Sequence, residues 1–176
     1  MHRMLHHLKQ EGVVFLLGKE ITGIHDHGHT GAEVSTADGD ILRARHIVVA
    51  AGSWSGKLLK KRGYRLPMQD GKGYSMTLER PSLKTSIPSI LHEARVAITP
   101  MGDDLRISGT LEISGMDDQI NPHKVNSILK AVPEYYPGMK IRDAGAVWFG
   151  YRPCTPDGMP YIGPLQSGSA VIMATG

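Results

Sequence analysis

The segment Arg45-His-Ile-Val-Val-Ala-Ala-Gly52 gives the strongest indication of the fold, because its apolar residues run without interruption to a glycine. A continuous apolar run is typical of a strand that is covered on both faces. Residues 53–62 follow, with Trp54, Leu58 and Leu59 on one face and lysine and arginine on the other. This spacing predicts an amphipathic helix whose cations lie near its C-terminal end, where the helix dipole favours positive charge.

The residues before this unit predict a helix and several short strands. Residues 2–10 have apolar side chains at helical spacing and are followed by Gly12, where a helix would end. Residues 13–17 form another continuous apolar run and predict a covered strand. Two further strands are expected at residues 21–24 and 32–36, on either side of a glycine-bearing turn.

The pattern changes in residues 68–114, where no helical periodicity is present and strands alternate with turns. The clearest strands are expected at residues 73–78, 96–99 and 105–113. Asn121 can cap a helix that begins at Pro122 and stops at Pro133. Further strands are expected at residues 144–151 and 170–174, with a proline-rich loop over 152–164 between them.

This order of elements predicts an α/β (α+β) fold. Strand and helix elements come first, antiparallel strands follow, and the chain then returns to a buried strand that ends near a glycine. Such an order is expected when a sheet domain is inserted into a cofactor-binding domain. We therefore expect a partial cofactor domain over residues 1–67, an inserted domain over 68–147 and a return segment over 148–176.

Composition and charge exclude several classes of protein. Of the 176 residues, 40% are hydrophobic and 21% charged, which is typical of a globular chain and not of a disordered one. The longest apolar runs are far shorter than the roughly 20 residues that a membrane-spanning helix needs. The lysines and arginines are spread along the chain, so nucleic acid is not an expected partner. The single cysteine, Cys154, cannot form an internal disulfide, and we expect a cytoplasmic protein or one attached peripherally to the inner membrane.

The stretch Trp148-Phe-Gly-Tyr-Arg-Pro-Cys-Thr-Pro-Asp-Gly-Met-Pro-Tyr-Ile-Gly163 carries the most chemical information. Its prolines stiffen the chain, and Arg152 comes directly after a predicted strand and directly before Pro153. An arginine presented so rigidly could bind a planar carboxylate through two parallel hydrogen bonds. The alternative is a structural arginine paired with Asp157 across the turn, and the spacing leaves both interpretations open.

The small residues Ala50, Ala51 and Gly52 stand between the predicted strand and helix. Small side chains at the carboxyl end of a strand allow a cofactor to approach the backbone closely. Taken alone, an ordinary strand-to-helix turn explains the same residues.

Several segments together resemble one family of enzymes, and the resemblance extends over essentially the whole chain. The segments that carry it are residues 47–55, 71–75, 106–112, 150–163 and 173–176, in the family's order. They resemble the FAD-dependent enzymes that oxidise amino acids, a family that includes glycine and sarcosine oxidases. Within it the chain most resembles the small subunit of D-amino-acid dehydrogenases.

The resemblance implies a fold and a set of site residues. It implies part of a glutathione-reductase-like FAD-binding domain with an inserted antiparallel-sheet substrate domain. By this resemblance Arg152 binds the substrate carboxylate, and Tyr74 and Tyr151 belong to the same catalytic pocket. The implied FAD-binding residues are Ile21 near the adenine, Ala50, Ala51, Gly52, Trp54 and Gly163, and Gly176 as the first glycine of a loop over the flavin ring.

The implied activity is hydride transfer from the α-carbon of an amino acid to FAD, giving an imino acid and then a keto acid, and a D-amino acid is the expected substrate. The family's Gly-x-Gly-x-x-Gly turn, which holds the cofactor's pyrophosphate, does not occur in this sequence. The sequence therefore predicts a C-terminal fragment whose N-terminal FAD-binding portion is missing or supplied by a partner subunit. Two alternatives stay open: a non-catalytic chain that lacks FAD, and a relative of glycine or sarcosine oxidases.

A metal site is not expected. His25, His27 and His29 alternate, which would place them on one face of a strand, but Gly28 and Gly31 interrupt that geometry. No cysteine or carboxylate pair stands nearby in the sequence to complete a set of ligands.

Overall fold

The computed structural model of the chain describes residues 2–83, 85–141 and 145–176. Its helices are α1 His2–Gln10, α2 Trp54–Lys60 and α3 Pro122–Tyr135, and a short 3-10 helix spans Gly28–Thr30. The strands are β1 Ile21–Asp26, β2 Ala32–Thr36, β3 Ile41–Ala44, β4 Ile47–Val49, β5 Gln69–Leu78, β6 Ser89–Leu91, β7 Val96–Met101, β8 Asp104–Glu112, β9 Trp148–Cys154, β10 Tyr161–Pro164 and β11 Val171–Thr175.

The strands form three sheets in the described part of the chain. Strands β1, β2 and β3 make an antiparallel meander, and a five-stranded antiparallel sheet has the order β6-β7-β8-β5-β9. The third sheet has the order β10-β11-β4, with β11 and β4 parallel and β10 antiparallel to β11. Residues far apart in the sequence therefore meet where β4 and β11 end together.

Two buried clusters of apolar side chains hold these sheets. The larger lies between α3 and the five-stranded sheet, where Val125, Ile128 and Val132 of the helix are buried against the strands. The smaller joins the meander, α2 and β11 through side chains such as Leu59 and Val171. Each fully buried aliphatic side chain contributes about 1.5–3 kcal/mol, so these clusters are the main source of stability.

The N-terminal boundary of α3 has the predicted capping geometry. Asn121 has extended backbone angles, and its side-chain oxygen accepts a hydrogen bond of 3.1 Å from the backbone N–H of His123. Pro122 occupies the first helical position, where its missing N–H costs nothing. The prediction for the start of this helix is confirmed.

The predicted stop at Pro133 is wrong, because α3 continues to Tyr135. Pro133 lies in the last turn, so its missing N–H removes a single helical hydrogen bond. The backbone N–H of Tyr136 still donates to the carbonyl of Val132 at 2.9 Å, which closes the final turn beyond the proline.

The predicted strand at residues 13–17 is also wrong. This run is irregular, and Val14 and Leu17 are 79% and 87% exposed. Continuous apolar character indicates a covered strand only when neighbouring strands cover it. Within the described ranges no strand pairs with this segment.

The strand predicted after α3 is displaced along the sequence. It was expected at 144–151, but β9 begins at Trp148 and continues through Arg152 and Pro153 to Cys154. Ala144 lies outside the described residues. A proline is tolerated here because β9 is the edge of its sheet and pairs only with β5. Consequently the predicted loop over 152–164 contains the end of β9 and all of β10.

Most other predicted elements are confirmed within a few residues. These are α1, α2 and the strands β1, β2, β4, β5, β7, β8 and β11. The sequence interpretation missed the short strands β3 and β6. The expected mixture of α/β content and antiparallel sheets is therefore confirmed, while the domain boundaries at 67 and 147 stay a prediction.

Candidate functional site

The five-stranded sheet has one covered face and one open face, and this division organises the site. Lys72, Tyr74, Met76 and Leu78 of β5 are all buried on the face that α3 covers. Because side chains alternate along a strand, the residues between them belong to the opposite face. We call that opposite side the open face.

Arg152 lies on the open face. It is paired with Gly71 across the β5–β9 ladder, whereas its neighbour Tyr151 is paired with the buried Lys72. Its side chain is exposed and lines a cavity of about 590 Å³ together with residues of the β6–β7 turn and β8. Pro153 fixes the backbone directly after it. The arginine is therefore held on a rigid strand and directed toward solvent-accessible space.

The alternative pairing of Arg152 with Asp157 is not seen. Asp157 instead accepts a hydrogen bond of 3.0 Å from the backbone N–H of Met159, which stabilises its own turn. Within the described ranges, no ion pair or side-chain hydrogen bond involves the guanidinium of Arg152. A carboxylate ligand would supply the bidentate partner that this guanidinium lacks.

Glycines allow large side chains to lie flat on the open face. A Cβ atom at Gly71 would collide with the side chain of Leu111, and one at Gly150 would lie 2.5 Å from the indole of Trp148. Leu111 and Trp148 therefore cover the backbone of β5 and β9 only because these positions are glycine. The result is a shallow, partly apolar surface beside Arg152.

Tyr74 lies on the covered face, opposite Arg152. It is 1% exposed, and its hydroxyl donates to Glu112 at 2.8 Å and accepts from the backbone N–H of Asn121 at 3.2 Å. The hydroxyl of Tyr74 therefore acts as both donor and acceptor inside the core. The structure does not bring Tyr74 and Arg152 together.

Tyr151 also points away from Arg152. Its hydroxyl donates a hydrogen bond of 2.9 Å to Asp118, and its ring meets those of Trp54 and Phe149 edge-on. Desolvation and the neighbouring carboxylate of Asp118 raise the pKa of Tyr151 to about 12. The phenol is therefore protonated at neutral pH and anchors the loop that carries Asp118.

Lys72 is the residue of this region that the sequence interpretation missed. Its ammonium is fully buried and donates 2.7 Å hydrogen bonds to the backbone carbonyls of Asp117 and Gln119. Glu112 lies 4.0 Å from it and a carboxylate oxygen of Asp117 lies 3.9 Å from it. Its position between two glycines in a strand is the available signal, since a lysine among small residues can be enclosed by its surroundings.

Three of the predicted cofactor-binding residues line one cavity. Ile21, Ala51 and Trp54 surround a space of about 320 Å³, together with the aliphatic and cationic side chains of Lys57 and Lys61. The indole of Trp54 is 53% exposed. An exposed aromatic face beside apolar walls suits a flat heteroaromatic ring, with cations near it for an attached phosphate.

The remaining predicted cofactor residues lie around the ends of β4 and β11. Ala50 and Gly52 flank Ala51 in the turn after β4, and the hydroxyl of Thr175 donates a 3.1 Å hydrogen bond to the Gly52 carbonyl. Gly176 directly follows Thr175. Gly163 lies farther away on β10, where it is paired with Met173.

Residues 1–176 match the FAD dependent oxidoreductase family. The chain belongs to this family. The predicted resemblance to this family is thereby confirmed.

Curated relatives are named D-amino acid dehydrogenases. The chain is 35% identical over 160 residues to the one from Methylobacterium radiotolerans, which covers 90% of this chain and 38% of that protein. It is 38% identical over 157 residues to the one from Rhizorhabdus wittichii, covering 88% of this chain and 38% of the relative. The chain thus spans less than two fifths of the length of these relatives.

A solved family structure confirms the fold. The glycine oxidase from Geobacillus kaustophilus superimposes with a TM-score of 0.76 at 23% identity, over 90% of this chain and 42% of that one. The matched region includes most of the three sheets described above, since so much of the chain is covered.

The histidines near β1 do not form a metal site in the described residues. The rings of His25 and His27 lie 4.7 Å apart, and His27 lies 3.6 Å from Glu33. No group of three or more histidine, cysteine or acidic side chains suited to a metal is present in the described ranges. In the same ranges no helix is long and apolar enough to cross a bilayer.

Proposed function

We propose that this chain forms the substrate-binding face and part of the cofactor site of an enzyme that oxidises amino acids, chiefly D-amino acids, by transfer of a hydride from the α-carbon to FAD. The observation that carries this proposal is the unpaired Arg152, held on β9 at a cavity of about 590 Å³. The family and the names of the relatives support the same reaction class.

Arg152 binds the α-carboxylate of the substrate through two parallel hydrogen bonds. Such a pair fixes both the position and the plane of the carboxylate, and so limits the directions in which the Cα–H bond can point. FAD, when bound, supplies the hydride acceptor. The imino acid that leaves the site is hydrolysed to a keto acid and ammonia.

The surface beside Arg152 excludes water from part of the substrate. Leu111 lies against Gly71 and lines the cavity, so it presents apolar atoms to a bound substrate. A drier surface strengthens the ion pair between arginine and carboxylate. Tyr74 and Tyr151 have no part in this proposed contact, and we assign them to the support of the sheet from its covered face.

The cofactor residues fit the adenosine end of FAD. Ile21, Ala51 and Trp54 bind the adenine ring, and the backbone of Ala50 and Gly52 lies along the neighbouring atoms. Gly163 and Gly176 belong to the segment that approaches the flavin. This arrangement is part of a glutathione-reductase-like FAD-binding domain over residues 1–67 and 148–176, with the substrate domain over 68–147.

A second candidate function is that of a non-catalytic chain. The absence of a Gly-x-Gly-x-x-Gly turn favours it, because the pyrophosphate of FAD has no backbone anchor in this sequence. In that case the residues around Arg152 retain amino-acid binding without turnover, or act with a partner that supplies the missing turn.

Binding of D-alanine to the chain tests the role of Arg152. Nuclear magnetic resonance titration of Arg152→Gln should show affinity weakened about tenfold or more, equivalent to about 1.4 kcal/mol. Arg106→Gln is the matched control, since Arg106 is an exposed arginine of β8 that does not line the cavity. Equal affinities of the wild type and Arg152→Gln would contradict the proposal.

A further inference from the structure

The cavity on the open face has an arginine at each of two sides and a histidine beside one of them. Arg152 lines it from β9, and His92 and Arg95 line it from the turn between β6 and β7. Among the described residues that line the cavity, none is aspartate or glutamate. Glu93, which stands between His92 and Arg95 in the sequence, is not one of the lining residues.

Arg95 and Arg152 line the same cavity, although Arg95 is a turn residue and Arg152 a strand residue. Arg95 is the last residue of the turn before β7 and has a φ of +54°, in the left-handed region. The carbonyl of Arg95 accepts a hydrogen bond of 3.3 Å from the backbone N–H of Thr110, which extends the β7–β8 ladder to this residue. This hydrogen bond holds the backbone of Arg95, at the end of the turn, beside β8.

The spacing of the strands suits a small molecule with two anionic groups. In the order β7-β8-β5-β9, the strand after Arg95 and the strand of Arg152 are three intervals apart, which is roughly 14 Å. Arginine side chains that stand off the sheet at these two places can hold their guanidinium groups on either side of a small amino acid.

The charges at both sides are unpaired. In the part of the chain that the structure describes, no ion pair or side-chain hydrogen bond involves Arg95 or His92. An amino acid with a neutral side chain has a single carboxylate, and in the proposed function Arg152 binds it. A second carboxylate would give Arg95 its own bidentate partner and would lower the repulsion among the cations.

The geometry points to an amino acid with an acidic side chain, such as D-glutamate or D-aspartate, as the substrate class that this site prefers. This inference rests on the proposed function, in which Arg152 binds the α-carboxylate. Arg95 binds the side-chain carboxylate, with His92 beside it. Arg95 thus determines which side chain the site prefers, whereas Arg152 binds the α-carboxylate that all amino acids share.

Isothermal titration of the 176-residue chain with D-glutamate and D-glutamine tests the inference, because the two ligands have nearly the same shape and differ in charge. D-Glutamate should bind roughly fivefold to tenfold more tightly, and added salt should reduce this difference. Arg95→Gln should weaken D-glutamate binding by a similar factor and leave D-glutamine unchanged. Arg106→Gln, on the same face outside the cavity, should affect neither ligand.

The outcomes separate this inference from the proposed function. Equal affinities for the two ligands, an unchanged preference in Arg95→Gln, or no binding of D-glutamate would each overturn the preference for acidic side chains. The proposed function would survive the first two results if Arg152→Gln weakened both ligands. If Arg152→Gln bound both ligands like the wild type, the proposed function itself would fail.

Discussion

Tyr151 and Arg152 are adjacent in the chain and point to opposite faces of β9, because consecutive side chains of a strand alternate. Tyr151 anchors the loop at Asp118 on the covered side, and Arg152 is left for a ligand on the open side. One strand thus stabilises the sheet and presents the candidate site. A substitution at either residue should affect one of these tasks without the other.

Lys72 should contribute strongly to stability. Replacing it in Lys72→Met would leave the carbonyls of Asp117 and Gln119 without their donor and the carboxylate of Glu112 without its nearby cation. Breaking a buried charge pair in this way costs about 3 kcal/mol or more in the free energy of unfolding. Chemical denaturation followed by circular dichroism measures this loss.

Lys124→Met is the matched control, since Lys124 is exposed on α3. It should leave the free energy of unfolding within about 0.5 kcal/mol of the wild type. Equal stability of the two variants would show that the buried ammonium of Lys72 is not a structural anchor.

For single residues, the sequence predicts which residue belongs to the candidate site better than it predicts the face of the sheet to which a side chain points. Arg152 was singled out from its position before Pro153, and it does lie at a cavity. Only the resemblance to the family groups Tyr74 and Tyr151 with it. Had the strand been extended through the edge-tolerated Pro153, alternation alone would have separated Tyr151 from Arg152.

At the scale of elements, one carboxylate joins the end of β1 to the start of β11. Asp26 accepts hydrogen bonds from the Ser169 hydroxyl at 2.5 Å and from the backbone N–H of Ala170 at 3.1 Å. It also accepts one from the backbone N–H of Gly28 at 3.0 Å. This side chain therefore fixes the meander against the sheet that contains β4.

These contacts predict a dependence of stability on pH. Burial acts to raise the pKa of the Asp26 carboxyl, but the hydrogen bonds from Ser169, Gly28 and Ala170 outweigh it and hold this pKa below its ordinary value of 3.8. The ionised form is thus favoured in the folded state. Its contribution is present above about pH 4 and is lost as the pH falls through the lowered pKa.

Asp26→Asn should lower the free energy of unfolding by about 1–3 kcal/mol at neutral pH, because a charge-assisted set of hydrogen bonds is weakened. The difference from the wild type should shrink below about pH 4. Thermal unfolding at neutral and acidic pH measures both effects. Asp38→Asn, which affects an exposed ion pair with Lys19, should change stability by less than about 1 kcal/mol, and a loss equal to that of Asp26→Asn would contradict the assignment.

Prediction from sequence was most accurate for elements with their own local signals. The cap at Asn121 and the amphipathic pattern of α2 each specify a helix without reference to the rest of the chain. The apolar run at residues 13–17 does not specify a strand by itself, because a strand forms only where neighbouring strands pair with it. Short strands such as β6 form although their own sequence signal is weak, because a neighbouring strand, here β7, pairs with them.

At the scale of the whole molecule, the chain contains one complete surface and one partial one. The open face of the five-stranded sheet carries Arg152 and its cavity within a single sheet. The proposed cofactor site has a cavity of about 320 Å³ at Trp54, and the 176 residues contain no glycine turn for the pyrophosphate. We therefore expect the two halves of an FAD molecule to bind this chain very differently.

Equilibrium dialysis against FAD, ADP and FMN tests this expectation. FAD and ADP should bind with similar, weak affinity, because both bring an adenine to the cavity at Trp54 and a pyrophosphate that finds Lys57 and Lys61 but no glycine turn. FMN, which has no adenine, should not bind measurably. Trp54→Ala should abolish the binding of FAD and ADP, since it removes the exposed aromatic wall of the cavity.

Trp148→Ala is the matched control, because Trp148 is similarly exposed, at 66%, but lies over Gly150 on the open face of the other sheet. It should bind FAD and ADP like the wild type. A chain that is purified with stoichiometric flavin, or that binds FMN as well as FAD, would show that the flavin end is held by residues of this chain. In that case the non-catalytic candidate would be excluded, and the absence of the glycine turn would not limit cofactor binding.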